Sequence, residues 1–300
     1  MDIRIFKGVY PASLTPFKKD GSVNYGVIPK MVEFHLKNGV TGFYLCGNTG
    51  QGLILSVEER KEIIKTYVEA VKGKAEIIVH IGDNSTNVCC ELAKYSERIG
   101  ADAISSLPPI VYSEGFESTY QHYKSICQST SLPLFIYNMP GMVEGNITLD
   151  NFLRLFKLKN IVGMKFTSYN LYEMRNIIEA TKGKLLVLSG PDEIALPALV
   201  MGAGGNIGST QNIFSLAFVN MYKKFLEGNI FASQKIQYKL NRIIRILLKY
   251  RKDSLKVAIK MAGFDCGRNR LPGLNLNKEE EKNLRKELEK ADFYQLLEKG

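Results

Sequence analysis

The stretch IVGMKFTS, residues 161–168, is apolar over its first four positions, then carries Lys165, and ends in Thr167 and Ser168. A continuous apolar run, without strict alternation, suits a strand covered on both faces, as in a parallel sheet. An ammonium at the end of such a strand is unusual, because lysine is rarely buried without a partner. Similar β-rich runs recur on either side of it: GVYPASLTPF (8–17), GFYLCG (42–47), EIIVHIG (76–82), ADAISSLPP (101–109), LPLFIYNMP (132–140), LLVLSG (185–190) and GNIGST (205–210).

Amphipathic segments with helical spacing lie between these runs. Residues 56–73 open with Ser56 and Glu59, the spacing of a capping box, and stop at Gly73. Residues 84–100, 113–130 and 168–183 follow the same pattern. Eight strands alternating with eight helices predict an α/β chain folded as a (β/α)8 TIM barrel over residues 1–228. An open doubly wound sheet is the competing topology, and the lack of a nucleotide fingerprint disfavours it. After residue 228 the strands stop. Segments 230–253, 254–264 and 277–300 read as helices, so residues 229–300 are expected to form a C-terminal helical extension packed on the barrel.

Composition bounds the function. The chain has 300 residues, a net charge of +10 and no apolar run long enough to span a bilayer. The N-terminus does not read as a signal peptide, which predicts a cytoplasmic protein without a membrane partner. The charge is uneven: residues 231–300 hold 17 Lys/Arg against 9 Asp/Glu. Those basic residues alternate with apolar ones at helical spacing, the pattern of a solvated helix face and not of a nucleic-acid groove. The five cysteines contain no Cys-x-x-Cys pair and are expected to be reduced and mostly buried. His35, His80 and His122 lie far apart in sequence, so no metal-ligand set is expected.

In a barrel the chemistry sits where the strands end. Lys165 is the central candidate, beside the alternative that it merely snorkels to solvent. Desolvation favours a neutral amine, and a neutral amine attacks a ketone to form a Schiff base, an electron sink for breaking an adjacent C–C bond. The loop GNTG offers backbone N–H groups and the Thr49 hydroxyl to an anion, although a tight turn alone accounts for its glycines. Tyr137 closes strand five and is a candidate proton carrier, if it is not simply a rim residue. VMGAGGNIG fails the G-x-G-x-x-G spacing and precedes a strand, so no dinucleotide or other cofactor is expected.

Taken together, GNTGQ, YNMP, GMKFTS, GPDE and GAGGNIGST resemble the N-acetylneuraminate lyase and dihydrodipicolinate synthase superfamily of pyruvate-dependent class I aldolases, along the whole chain including GFDCGRNRLP. The resemblance implies that Lys165 forms the Schiff base, Tyr137 moves the proton, and Asn48 and Thr49 hold the pyruvate carboxylate. Asn48 replaces a hydroxyl residue usual in the family, and Gln51 stands where Glu is usual. The synthase branch places an arginine after YN-x-P, where this chain reads GMVEG, and an inter-subunit tyrosine where this chain has Val111 beside Tyr112. The lyase branch shows K-x-T, G-x-DE and IGST-x-N, matched here by Lys165 and Thr167, by Gly190, Asp192 and Glu193, and by Ser209 within IGSTQN. The resemblance thus implies N-acetylneuraminate lyase activity, with dihydrodipicolinate synthase or a 2-keto-3-deoxy sugar acid aldolase as alternatives, and a homotetramer or dimer. A keto-acid-binding regulator without catalysis is the alternative of another class.

Overall fold

The computed structural model describes residues 2–112, 114–140, 148–250 and 253–300. Eight strands form one sheet: β1 (Gly8–Pro11), β2 (Gly42–Leu45), β3 (Glu76–His80), β4 (Ala103–Ser106), β5 (Leu134–Asn138), β6 (Ile161–Phe166), β7 (Leu186–Ser189) and β8 (Gly205–Gly208). Every pairing is parallel, in the order β1-β8-β7-β6-β5-β4-β3-β2. The ring closes where Ala12 bridges Tyr44 and Ser13 N donates to the Tyr44 carbonyl at 2.9 Å. The architecture is the expected TIM barrel. Its helices are α1 (Ile28–Lys37), α2 (Val57–Val71), α3 (Thr86–Ile99), α4 (Phe116–Ser129), α5 (Leu149–Leu155), α6 (Leu171–Ala180), α7 (Ala195–Val200) and α8 (Gln211–Leu226).

The pleat sorts each strand's side chains into two layers. Tyr10, Tyr44, Ile78, Ala103, Phe135, Tyr137, Leu186, Leu188 and Ile207 pack together inside the barrel. Their neighbours, such as Phe43, Leu45, Val79, Ile136, Met164, Phe166 and Val187, pack against the helices. Both layers being apolar explains why the strands read as continuous runs. On β6, Met164 and Phe166 belong to the outer layer, which turns Lys165 inward. Gly163 is needed one layer below, because a Cβ there would collide with the Phe135 ring.

Local signals set the helix ends. The Ser56–Glu59 capping box is present at the start of α2. α3 stops at Gly100, whose φ of 93° lies in the left-handed region that favours glycine. Beyond the barrel come α9 (Ile230–Lys249), α10 (Ser254–Met261), α11 (Lys278–Lys290) and α12 (Phe293–Lys299). The sequence suggested one helix over 277–300. It divides because Asp292 takes φ 62°, which ends one helix and redirects the chain into the next. Leu240, Ile243, Leu284, Leu288 and Phe293 share one buried cluster with the outer barrel layer. No helix among the described residues is long and apolar enough to cross a membrane.

Candidate active site

Register places Tyr137, Lys165 and Leu188 side by side across β5, β6 and β7. Lys165 is 4% exposed. Its Nζ lies 3.9 Å from the centroid of the Tyr137 ring and 4.3 Å from that of Tyr44. The two rings are therefore the ammonium's immediate surroundings, a cation–π arrangement in a desolvated interior. The Tyr44 hydroxyl donates to Ser105 Oγ at 3.1 Å, and burial holds its pKa well above the ordinary value. The Tyr137 hydroxyl contacts Met139 Sδ at 3.3 Å.

His80 packs edge-on against Tyr137, with ring centroids 5.6 Å apart. Its Nδ1 lies 3.1 Å from the Cys46 carbonyl and must be the protonated nitrogen, because a carbonyl only accepts. Nε2 is left as a buried acceptor without a partner among the described residues. Burial lowers the His80 pKa to about 3, so the ring is neutral in ordinary buffers. Sequence reasoning passed over Tyr44 and His80. An aromatic side chain and a lone histidine in apolar strands look like core, and only the register reveals their neighbour.

Asn48 and Thr49 sit in the loop after β2. That loop is wound tightly: Cys46 and Gln51 both have φ 55°, and a Cβ at Gly52 would strike the Cys46 carbonyl. Gln51 N donates to Asn48 O, and Gly52 N to Gly47 O, each at 3.0 Å. The N–H groups of Asn48 and Thr49, both partly exposed, have no protein acceptor among the described residues, so they are available to an anion. Gln51 accepts from Arg270 N at 3.2 Å and donates to Arg270 O at 2.9 Å. An amide fills both roles, whereas the carboxylate usual in the family would only accept.

Asp192 and Glu193 occupy the turn between β7 and α7. Asp192 is buried. Its Oδ2 accepts from Thr210 N and Thr210 Oγ1, each at 2.8 Å. Burial nevertheless pushes its carboxyl from 3.8 to about 6, against the pull of the Thr210 bonds. A Cβ at Gly208 would overlap this carboxylate. Asp192 thus braces the strand β8 terminus instead of presenting a free carboxylate. Glu193 is partly exposed and accepts from the Tyr169 hydroxyl. The turn is held from the tail: Gln237 Nε2 donates to Asp192 O and Asn241 Nδ2 to Glu193 O, both at 3.0 Å. Thr167 Oγ1 is buried without a partner among the described residues, and Gly190 leaves the space it occupies.

A cavity of about 740 Å³ brings Asn48, Thr49, Asp192, Glu193 and Ser209 together. Ile244, Leu247, Leu248 and Leu255 of the tail supply its apolar wall. Lys165, Tyr137, Thr167 and Gly190 are not on that wall; they belong to the barrel interior and the ends of β6 and β7. Segment 141–145, which lacks the synthase-type arginine, lies outside the described residues. Val111 and Tyr112 are 48% and 92% exposed.

Comparison with known proteins gives the class, pyruvate-dependent class I aldolases and lyases. The family model described as the dihydrodipicolinate synthetase family matches residues 5–291, and the chain belongs to that family. It is 33% identical over 288 residues to a 4-hydroxy-tetrahydrodipicolinate synthase of Methanothrix thermoacetophila, covering 95% of this chain and 97% of that one. It is 35% identical over 244 residues to an N-acetylneuraminate lyase of Escherichia fergusonii, covering 81% and 82%. Among solved structures, CdNal from Clostridium difficile in complex with mannosamine superposes with a TM-score of 0.91 at 29% identity, covering 97% of this chain and 100% of that one.

Proposed function

We propose that this enzyme cleaves N-acetylneuraminate to pyruvate and N-acetylmannosamine through a Schiff base on Lys165. The observation that carries the reading is the enclosure of the Lys165 amine between the Tyr137 and Tyr44 rings, inside the barrel at the end of β6. Lys165 Nζ adds to the C2 ketone and water leaves, giving the iminium. Tyr137 takes the proton of the C4 hydroxyl as the C3–C4 bond breaks, its electron pair passing to the iminium. The enamine takes a proton at C3, and hydrolysis releases pyruvate and the free amine. Asn48 and Thr49 hold the carboxylate; Glu193 and Ser209 line the path of the hydroxylated chain, with Thr167, Gly190 and Asp192 shaping the strand ends beside it. A carboxylate such as Glu193 favours a neutral polyol over a second anion. A homotetramer or dimer belongs to the same proposal.

The strongest competing activity is condensation of pyruvate with aspartate semialdehyde, favoured by the likeness to the Methanothrix synthase across nearly the whole chain. Imine trapping tests the step both activities share, and cleavage against condensation separates them. Pyruvate with borohydride should label Lys165, and Lys165→Ala should abolish the label. N-acetylneuraminate should then be cleaved. Rapid condensation with aspartate semialdehyde and no cleavage would assign the chain to the synthase branch.

A further inference from the structure

A second cavity, of about 700 Å³, lies apart from the site described above, between the turn that follows β1 and the segment after α10. Lys18, Lys19 and Lys30 line it. None of them has a carboxylate within ion-pair distance among the described residues. For Lys18 and Lys19 the turn explains why. Asp20, next in the chain, spends its carboxylate on Ser22, accepting from N at 2.9 Å and Oγ at 2.7 Å. Asp265 is the acidic residue of the lining; it is held by Lys260 at 2.8 Å and also feels the charge of Lys19. Arg268 and Arg270 complete the wall, already paired with Asp253 and Glu281 and with Glu59. With both arginines and Asp265 already paired, the three lysines leave this concave wall an excess of positive charge, and its volume suits a metabolite.

Arg270 joins this cavity to the candidate active site. Its guanidinium donates to Gly21 O at 2.6 Å and to both oxygens of Glu59. Its backbone is bonded at N and O to Gln51, the last residue of the GNTGQ loop. Asn269, one residue earlier, lines both cavities. A ligand that draws on the Arg270 side chain therefore pulls on a residue whose backbone fixes the loop.

We propose that this cavity is a regulatory site for a small organic polyanion, a phosphate ester or polycarboxylate, and that its occupancy alters keto-acid affinity through Arg270 and Gln51. The binding half is independent of the proposed reaction; the coupling half rests on it. Calorimetry on the full chain with pyrophosphate and with citrate tests the first half. Parent protein should bind one or both, identifying the phosphate or carboxylate class, and added salt should weaken the binding. The double variant Lys19→Glu/Lys30→Glu should bind about tenfold more weakly or worse. Its activity without added anion should equal that of the parent. The second half is read from the pyruvate concentration that gives half-maximal borohydride labelling. Saturating pyrophosphate or citrate should shift it about fivefold or more, a change near 1 kcal/mol in coupling, and the double variant should lose the shift. Absence of binding by both probes, or equal binding by the variant, would overturn the site. Displacement of pyrophosphate by far lower concentrations of a single-stranded oligoribonucleotide would overturn its assignment to small ligands. Binding without any shift in labelling would overturn the coupling. Failure of labelling altogether would instead remove the Schiff-base reading and leave the calorimetric result standing.

Discussion

At the scale of single residues, the proposal divides labour between Lys165 and Tyr137. Tyr137→Phe keeps the ring that packs on Lys165, Tyr44 and His80 and deletes only the hydroxyl. Turnover should fall by about 10² to 10⁴, the usual contribution of a positioned acid/base, while borohydride labelling at Lys165 persists. Equal turnover in the two proteins would reduce Tyr137 to packing. Asp192 offers a different test. Its folded pKa, about 6, lies above the ordinary 3.8. The folded chain therefore holds a proton that the unfolded chain has released, and the group's contribution to stability falls as pH rises through that window. Asp192→Asn keeps an oxygen for Thr210 and removes the titration. Denaturant unfolding should show the variant gaining on the parent from pH 4 to 6; a constant difference would refute the burial argument. Lys165 was legible in sequence because a charge in an apolar run is conspicuous. Asp192 was equally visible, yet its carboxylate turned out to face Thr210, eighteen positions away, a contact that no local pattern encodes.

Elements carry the next level. Strand and helix alternation could be read because burial on both faces and 3.6-residue periodicity are properties of each segment alone. What holds the elements at the site is long-range and has no such signature. Gln237 and Asn241 on α9 resemble a solvated face, since their neighbours are basic, but both reach back to the Asp192–Glu193 turn. Gln237 also accepts from Leu196 N at 2.8 Å, so one amide secures both the turn and the start of α7. Asn241→Ala removes the donor to Glu193 O. It should cost about 1–3 kcal/mol, because a partly buried carbonyl loses its partner. The proposed site predicts more: the KM for N-acetylneuraminate should rise while half-maximal pyruvate labelling stays put. A parallel rise in both would mean the tail helix supports the barrel as a whole and not this turn. Gly190→Ala acts on the other side of the same turn. Its Cβ would collide with Thr167, and the forced shift should cost about 1–3 kcal/mol.

At the scale of the whole molecule, buried ionisable groups set the acid limit. His35, His80 and His122 are enclosed in separate places, beside Ser215, Cys46 and Thr86. Burial lowers their pKa values from 6.5 to about 3, 3 and 4. The sequence showed only that they were far apart; that all three are buried emerges from the packing of helix on barrel for His35 and His122, and from the barrel interior for His80. Between pH 4 and 6.5 the unfolded chain protonates these rings and the folded chain does not, so stability rises with pH across the window. Asp192 acts in the opposite direction, together with Glu76, Asp102 and Glu173, whose carboxyls burial also raises; carboxyls lowered by their partners, such as Glu59, Asp265 and Glu281, act with the histidines, and the shift of Asp192 is smaller than that of His35 or His80. The net slope should therefore be positive. Urea unfolding at pH 4.5, 5.5 and 6.5 should give free energies that increase in that order. Replacing His35 by Gln, which retains a polar partner for Ser215, should flatten the rise. A flat or falling series in the parent would mean that the histidines take up protons without unfolding, and that the interior is open to water at these sites.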